Sequence, residues 1–77
     1  MSDSLTIVIK ELKKYSIGFP SVYKIKNHYT EASHRIFLVS EFGMVTIFWF
    51  ETTNKIKCKS KKFLDKIKDD VIIGKML

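Results

Sequence analysis

Between His34 and Phe50 the chain reads His-Arg-Ile-Phe-Leu-Val-Ser-Glu-Phe-Gly-Met-Val-Thr-Ile-Phe-Trp-Phe, and any fold it adopts must pack around that stretch. Two runs rich in β-branched and aromatic residues, Ile36–Val39 and Met44–Phe50, flank Ser40-Glu41-Phe42-Gly43. Gly43 can take the positive φ that a tight hairpin requires. Each run is short for a helix, and its composition favours a strand. Alternation along the second strand puts Val45, Ile47 and Trp49 on one face and Thr46, Phe48 and Phe50 on the other. Both sets are largely apolar, which predicts a central strand covered on more than one face.

Helical spacing of Leu5, Val8, Ile9 and Leu12 predicts an amphipathic helix over 3–15, with Lys10, Glu11, Lys13 and Lys14 facing away. Asp3 or Ser4 can cap its start, and Gly18 can stop the chain shortly after its end. Pro20 opens an extended segment over 22–29, in which Tyr23 and Ile25 fall on one face and Lys24 and Lys26 on the other. The polar segment over 30–33 then leads to the hairpin. After Phe50, Glu51-Thr-Thr-Asn54 reads as a turn in which Asn54 tolerates the left-handed conformation. Lys55-Ile-Lys-Cys-Lys59 alternates, with Ile56 and Cys58 inward and three lysines outward. Ser60 is placed to cap a second helix from Lys61 to about Lys68, whose apolar stripe is Phe63, Leu64, Ile67 and then Val71. Residues 71–77 fit either a helical extension or a short strand. The expected architecture is α+β: an antiparallel sheet of three or four strands with two helices on one face.

At 77 residues the chain is expected to be one domain spanning 1–77, near the lower limit for folding without staples. Its single cysteine, Cys58, allows no internal disulfide, no apolar run reaches membrane-helix length, and no signal peptide is evident. A cytoplasmic setting without membrane association is the expectation.

Charge narrows the function further. The net charge is +6, and residues 55–68 account for all of it: Lys55, Lys57, Lys59, Lys61, Lys62, Lys66 and Lys68 stand against the single Asp65. A surplus confined to one segment makes a local positive field suited to a polyanion, or else forms a solvated face. Thirteen of the fourteen basic residues are lysines, which contact phosphates as point charges and read bases poorly. Lys61 and Lys62 oppose the dipole of the helix they open, at a cost of a few tenths of a kcal/mol each. An anionic ligand there would be one reason for them.

The sequence holds little that could do catalysis. His28, His34 and Cys58 make no spaced metal-ligand set, and the eight carboxylates are dispersed. Three glycines form no phosphate loop. Cys58 reads as a small packed residue, and no metal or cofactor is implied. Phe37, Phe48 and Phe50 are expected to share a face that either stacks unpaired bases or packs in a core or dimer contact.

The order helix, strands, helix, with lysines opening the last helix, resembles the double-stranded-RNA-binding domain from Leu5 to Ile67. The segment from Leu5 through Leu12 with Glu11 is similar to that family's first helix, which presents a polar or acidic residue to the RNA minor groove. Pro20-Ser-Val-Tyr23 resembles the entry to its first strand, and His34 with Phe37 resembles the histidine of the loop between its first two strands and the aromatic start of the second. Lys59-Ser60-Lys61-Lys62 is similar to its Ser-Lys-Lys motif, where lysines meet phosphates across the major groove. The resemblance implies a non-enzymatic domain binding structured or double-stranded RNA through Glu11, His34, Lys61 and Lys62, with Lys55, Lys57, Lys59 and Lys66 as supporting charge. The alternative is a small phage-type accessory protein that inhibits or modulates a host protein by direct binding. A homodimer stays open under either reading.

Overall fold

The computed structural model describes residues 4–25 and 32–77, apart from the side chains of Tyr23 and Lys24. Chain order is α1 (Ser4–Lys13), β1 (Ser21–Ile25), β2 (Ser33–Ser40), β3 (Gly43–Phe50), β4 (Lys55–Cys58), α2 (Lys61–Ile67) and α3 (Val71–Gly74). The four strands form one antiparallel sheet in sequence order, so every strand lies beside its neighbour in the chain. This is the expected α+β architecture, with a third helix added.

The turns between strands follow from local chemistry. Gly43 adopts φ +98° where β2 folds back into β3, and the Ser40 hydroxyl closes that turn by accepting from the Phe42 amide at 3.0 Å. Asn54 takes the left-handed φ of 55° between β3 and β4. Its side-chain carbonyl accepts from the Trp49 indole at 2.9 Å, so one residue both turns the chain and satisfies a buried donor.

Register assigns the two sheet faces. Val22, Ile36, Ile47 and Cys58 pair across the sheet, as do His34, Trp49 and Ile56, and Leu38 with Val45. This face meets all three helices. The most deeply buried side chains are Val8 and Leu12 from α1, Ile36 and Ile47 from the central strands, Phe63 and Ile67 from α2, and Ile73 from α3. Burying a side chain of this size contributes about 1.5–3 kcal/mol, so the single layer between helices and sheet carries most of the stability.

The opposite face carries Arg35, Phe37, Thr46, Phe48 and Phe50, and no other described element packs over it. Its aromatic rings are half-buried, and the long cationic side chains of Arg35 and Lys57 lie beside them. Among the described residues helices cover one face of β3, and Thr46, Phe48 and Phe50 on the other face are half-buried. Every described helix lies on the first face.

The last third of the chain resolves the question of residues 71–77. Asp70 caps α3, its carboxylate accepting from the amides of Ile72 and Ile73 at 2.9 and 3.0 Å. Val71, expected to continue the stripe of the second helix, is 75% exposed, and Ile73 and Met76 supply the burial instead. The break at Asp69-Asp70 shifts the phase of the apolar pattern. Beyond α3 the Met76 carbonyl accepts from the Ile56 amide at 2.7 Å, covering part of the open edge of β4.

Candidate functional site

The lysine segment begins on β4. Phe50 pairs with Lys55 and Phe48 with Lys57, so both lysines lie on the open face of the sheet. Lys59, just past the strand, joins Arg35, Phe37, Thr46 and Phe48 around a groove of about 570 Å³. A second groove of about 490 Å³ runs along the other side of Phe48, between Phe50, Lys57, Leu64 and Leu77. No acidic side chain among the described residues lines either groove.

Ser60 then starts α2, its hydroxyl accepting from the Phe63 amide at 3.2 Å as its sequence position implied. Phe63 and Ile67 anchor the helix inward, which leaves Lys61 and Lys62 exposed. Lys55, Lys57, Lys59, Lys61 and Lys62 are all exposed and have no carboxylate partner among the described residues. Lys66 differs. Its ammonium donates to Glu41 at 2.7 Å, and Lys68 pairs with Asp65 at 3.3 Å, so the segment's later charges are partly neutralised.

Cations also lie near the aromatic rings of the open face. The Arg35 guanidinium carbon is 5.5 Å from the Phe48 ring centroid and 5.8 Å from that of Phe37, and the Lys57 ammonium is 5.6 Å from Phe50. These distances are near the outer limit for cation–π attraction. Arg35 was absent from the residues singled out on sequence. The signal was available, because period-2 alternation carried back from Phe37 places Arg35 on the same face.

Two residues singled out by family resemblance lie elsewhere. Glu11, expected to face away from the core, is 7% exposed and pairs with Lys14. The helix turns it toward the packed side, beside Leu12. The hydrogen bond to Glu11 holds the Lys14 ammonium pKa above its ordinary value. His34, expected in a loop, is the second residue of β2 and 8% exposed. Register sets it opposite Trp49 on the helix-facing side, with ring centroids 5.4 Å apart. Its Nδ1 is buried without a hydrogen bond, 3.5 Å from a Glu51 carboxylate oxygen. Neither residue adjoins the open face or the free lysines.

Cys58 packs against the core, and burial pushes its thiol pKa up, which suits a packing role better than a nucleophile. Among the described residues no group of three or more His, Cys, Asp or Glu side chains could hold a metal ion, and no helix is long and apolar enough to cross a membrane. At the hairpin end of the sheet Ile17, Phe19, Val39 and Met44 form an exposed apolar patch, in which Phe19 is 83% exposed.

No family model, no curated protein and no solved structure matches this chain.

Proposed function

We propose that the protein is a non-enzymatic, cytoplasmic RNA-binding domain that holds structured RNA through phosphate contacts from Lys55, Lys57, Lys59, Lys61 and Lys62. The observation that carries this reading is the set of five exposed, unpaired lysines within eight positions of chain. Unpaired clustered cations create the potential that attracts a polyanion and release counterions when they meet phosphates. The buried positions of Glu11 and His34 remove the minor-groove contacts that the resemblance to double-stranded-RNA-binding domains implied, and leave the lysines as the grip. Such binding depends on backbone and shape more than base sequence. Titration of the parent and of Lys61→Glu with Lys62→Glu against a structured RNA at two salt concentrations tests it. Loss of affinity with an unchanged melting curve is expected. Equal affinity in the two proteins overturns the reading.

The exposed patch of Ile17, Phe19, Val39 and Met44 favours a second reading, in which the domain binds and modulates a partner protein. Under that reading Phe19→Ser abolishes capture of the partner and leaves RNA affinity unchanged.

A further inference from the structure

We infer that the open face of the sheet is a platform for unpaired bases of the bound RNA, with Phe48 and Phe50 as the stacking surfaces. This inference rests on the RNA-binding reading above and names the part of the RNA that this face takes.

Spacing is the first argument. Phe48 and Phe50 are alternate residues of β3, so their Cα atoms lie about 6.8 Å apart along the strand. Successive bases in a stacked strand are about 3.4 Å apart. Two neighbouring bases of an intact duplex therefore cannot both lie on these rings. Bases splayed out of the stack can, and aromatic rings accept any base because each has a π face.

Charge is the second. Among the described residues, every charged side chain that register or groove lining places on this face is cationic: Arg35, Lys55, Lys57 and Lys59. A chain whose bases lie on Phe48 and Phe50 would carry its phosphates past these groups. A second copy of the protein meeting this face would instead bring two sets of cations together, and like charges repel. Charge complementarity thus selects a polyanion bearing planar apolar groups over a homodimer.

Shape is the third. The grooves on the two sides of Phe48 are open and lined by both apolar and cationic side chains. Arg35 and Lys57, 5.5 and 5.6 Å from the centroids of Phe48 and Phe50, are exposed and have no carboxylate partner among the described residues to hold them there.

The test uses the full chain with Phe48→Leu and Phe50→Leu together, which keeps apolar volume but removes the π faces. Its probes are a fluorescein-labelled oligouridylate and a blunt RNA duplex of matched charge, with melting curves to verify folding. The variant is expected to bind oligouridylate about a hundredfold more weakly, about tenfold or ~1.4 kcal/mol per ring. Its duplex affinity is expected to stay within about twofold, since the lysines are intact. Unchanged oligouridylate affinity, or an equal loss on both probes, overturns the inference. A parent that binds duplex but not oligouridylate overturns it while leaving the RNA-binding reading standing, and a parent that binds neither probe overturns both. A parent dimer that the same substitutions dissociate in sedimentation would also overturn it.

Discussion

The Tyr15 hydroxyl donates a hydrogen bond to Asp70 at 2.7 Å, joining the turn after α1 to the cap of α3 across 55 positions of sequence. Asp70 thereby serves two ends of the chain, because the same carboxylate accepts from the Ile72 and Ile73 amides. Asp70→Ala is expected to destabilise the protein by about 1–2 kcal/mol through loss of the cap. Tyr15→Phe should cost about 1 kcal/mol. For a domain of this size the melting temperature falls ~4–8 °C per kcal/mol. Because the two substitutions remove one shared bond, their effects in the double variant should sum to less than the separate losses.

The same pair makes stability depend on pH at both extremes. The Ile73 amide, with the Tyr15 hydroxyl contributing, holds the Asp70 carboxyl below its ordinary pKa. Its contribution is complete above the unfolded carboxylate value of about 4 and is lost as pH falls through the depressed folded value. The hydrogen bond to Asp70 raises the Tyr15 phenol to about 12. That contribution is complete below the unfolded value of about 10 and is lost as pH climbs from there through the folded value. Asp70→Asn keeps a capping side chain without the charge, so urea unfolding across pH should give a flatter profile at both ends than in the parent.

Gly74 offers a prediction whose sign opposes helix propensity. Alanine in a helix is ordinarily favoured over glycine by ~1 kcal/mol. A Cβ at position 74 would lie 2.7 Å from the Lys68 carbonyl oxygen, a backbone atom with little room to move. Gly74→Ala should therefore destabilise, by about 1–3 kcal/mol as for other forced overpacking. An unchanged or raised melting temperature would show that α3 can slide away from the end of α2.

Trp49 is the only tryptophan and is buried opposite His34 and Ile56, so its fluorescence should be blue-shifted and shielded from iodide. Trp49→Ala should cost ~3–5 kcal/mol. Against a total of roughly 4–12 kcal/mol for a domain this size, much of the population should unfold. Asn54→Ala strands the indole donor at about 1–3 kcal/mol and adds a further penalty at the left-handed φ. Asn54→Gly should relieve only the second of these, and urea midpoints for the two variants separate them.

Lys61→Glu with Lys62→Glu should leave the melting temperature unchanged or slightly raised, since both side chains are exposed and glutamate suits the first turn of a helix. Under the proposed RNA-binding reading, RNA affinity should fall at least about tenfold, with a salt slope shallower by ~2 for the loss of two phosphate contacts. Lys10→Glu with Lys75→Glu is the matched control, because both lysines are exposed and lie outside the basic segment. Lys13 and Lys14 would serve less well: Lys14 neutralises the buried Glu11, and the Lys13 ammonium sits 4.0 Å from the centroid of the Phe19 ring.

Local chemistry makes much of the fold legible in the sequence. β-branched and aromatic composition marked β2 and β3, alternation marked β4, Gly43 and Asn54 marked the turns, and Ser60 marked the start of α2. Each of these depends on a residue and its near neighbours, where backbone sterics and capping dominate. The segment over 22–29 is legible only in part, because β1 ends at Ile25 and the remainder lies outside the described residues.

Glu11, His34 and Val71 were decided by tertiary packing. Glu11 looked solvent-facing because charged side chains usually are, yet tertiary packing of α1 buries it with Lys14 as counter-charge. His34 looked like a loop residue until the pairing of β2 with β3 fixed its partner as Trp49. Val71 lost its place in the core when Asp70 began a new helix with its own phase. The lysine segment was evident from composition. Which of its charges stay free depended on Glu41 reaching Lys66 from a hairpin turn 25 residues away, a contact that only chain folding creates.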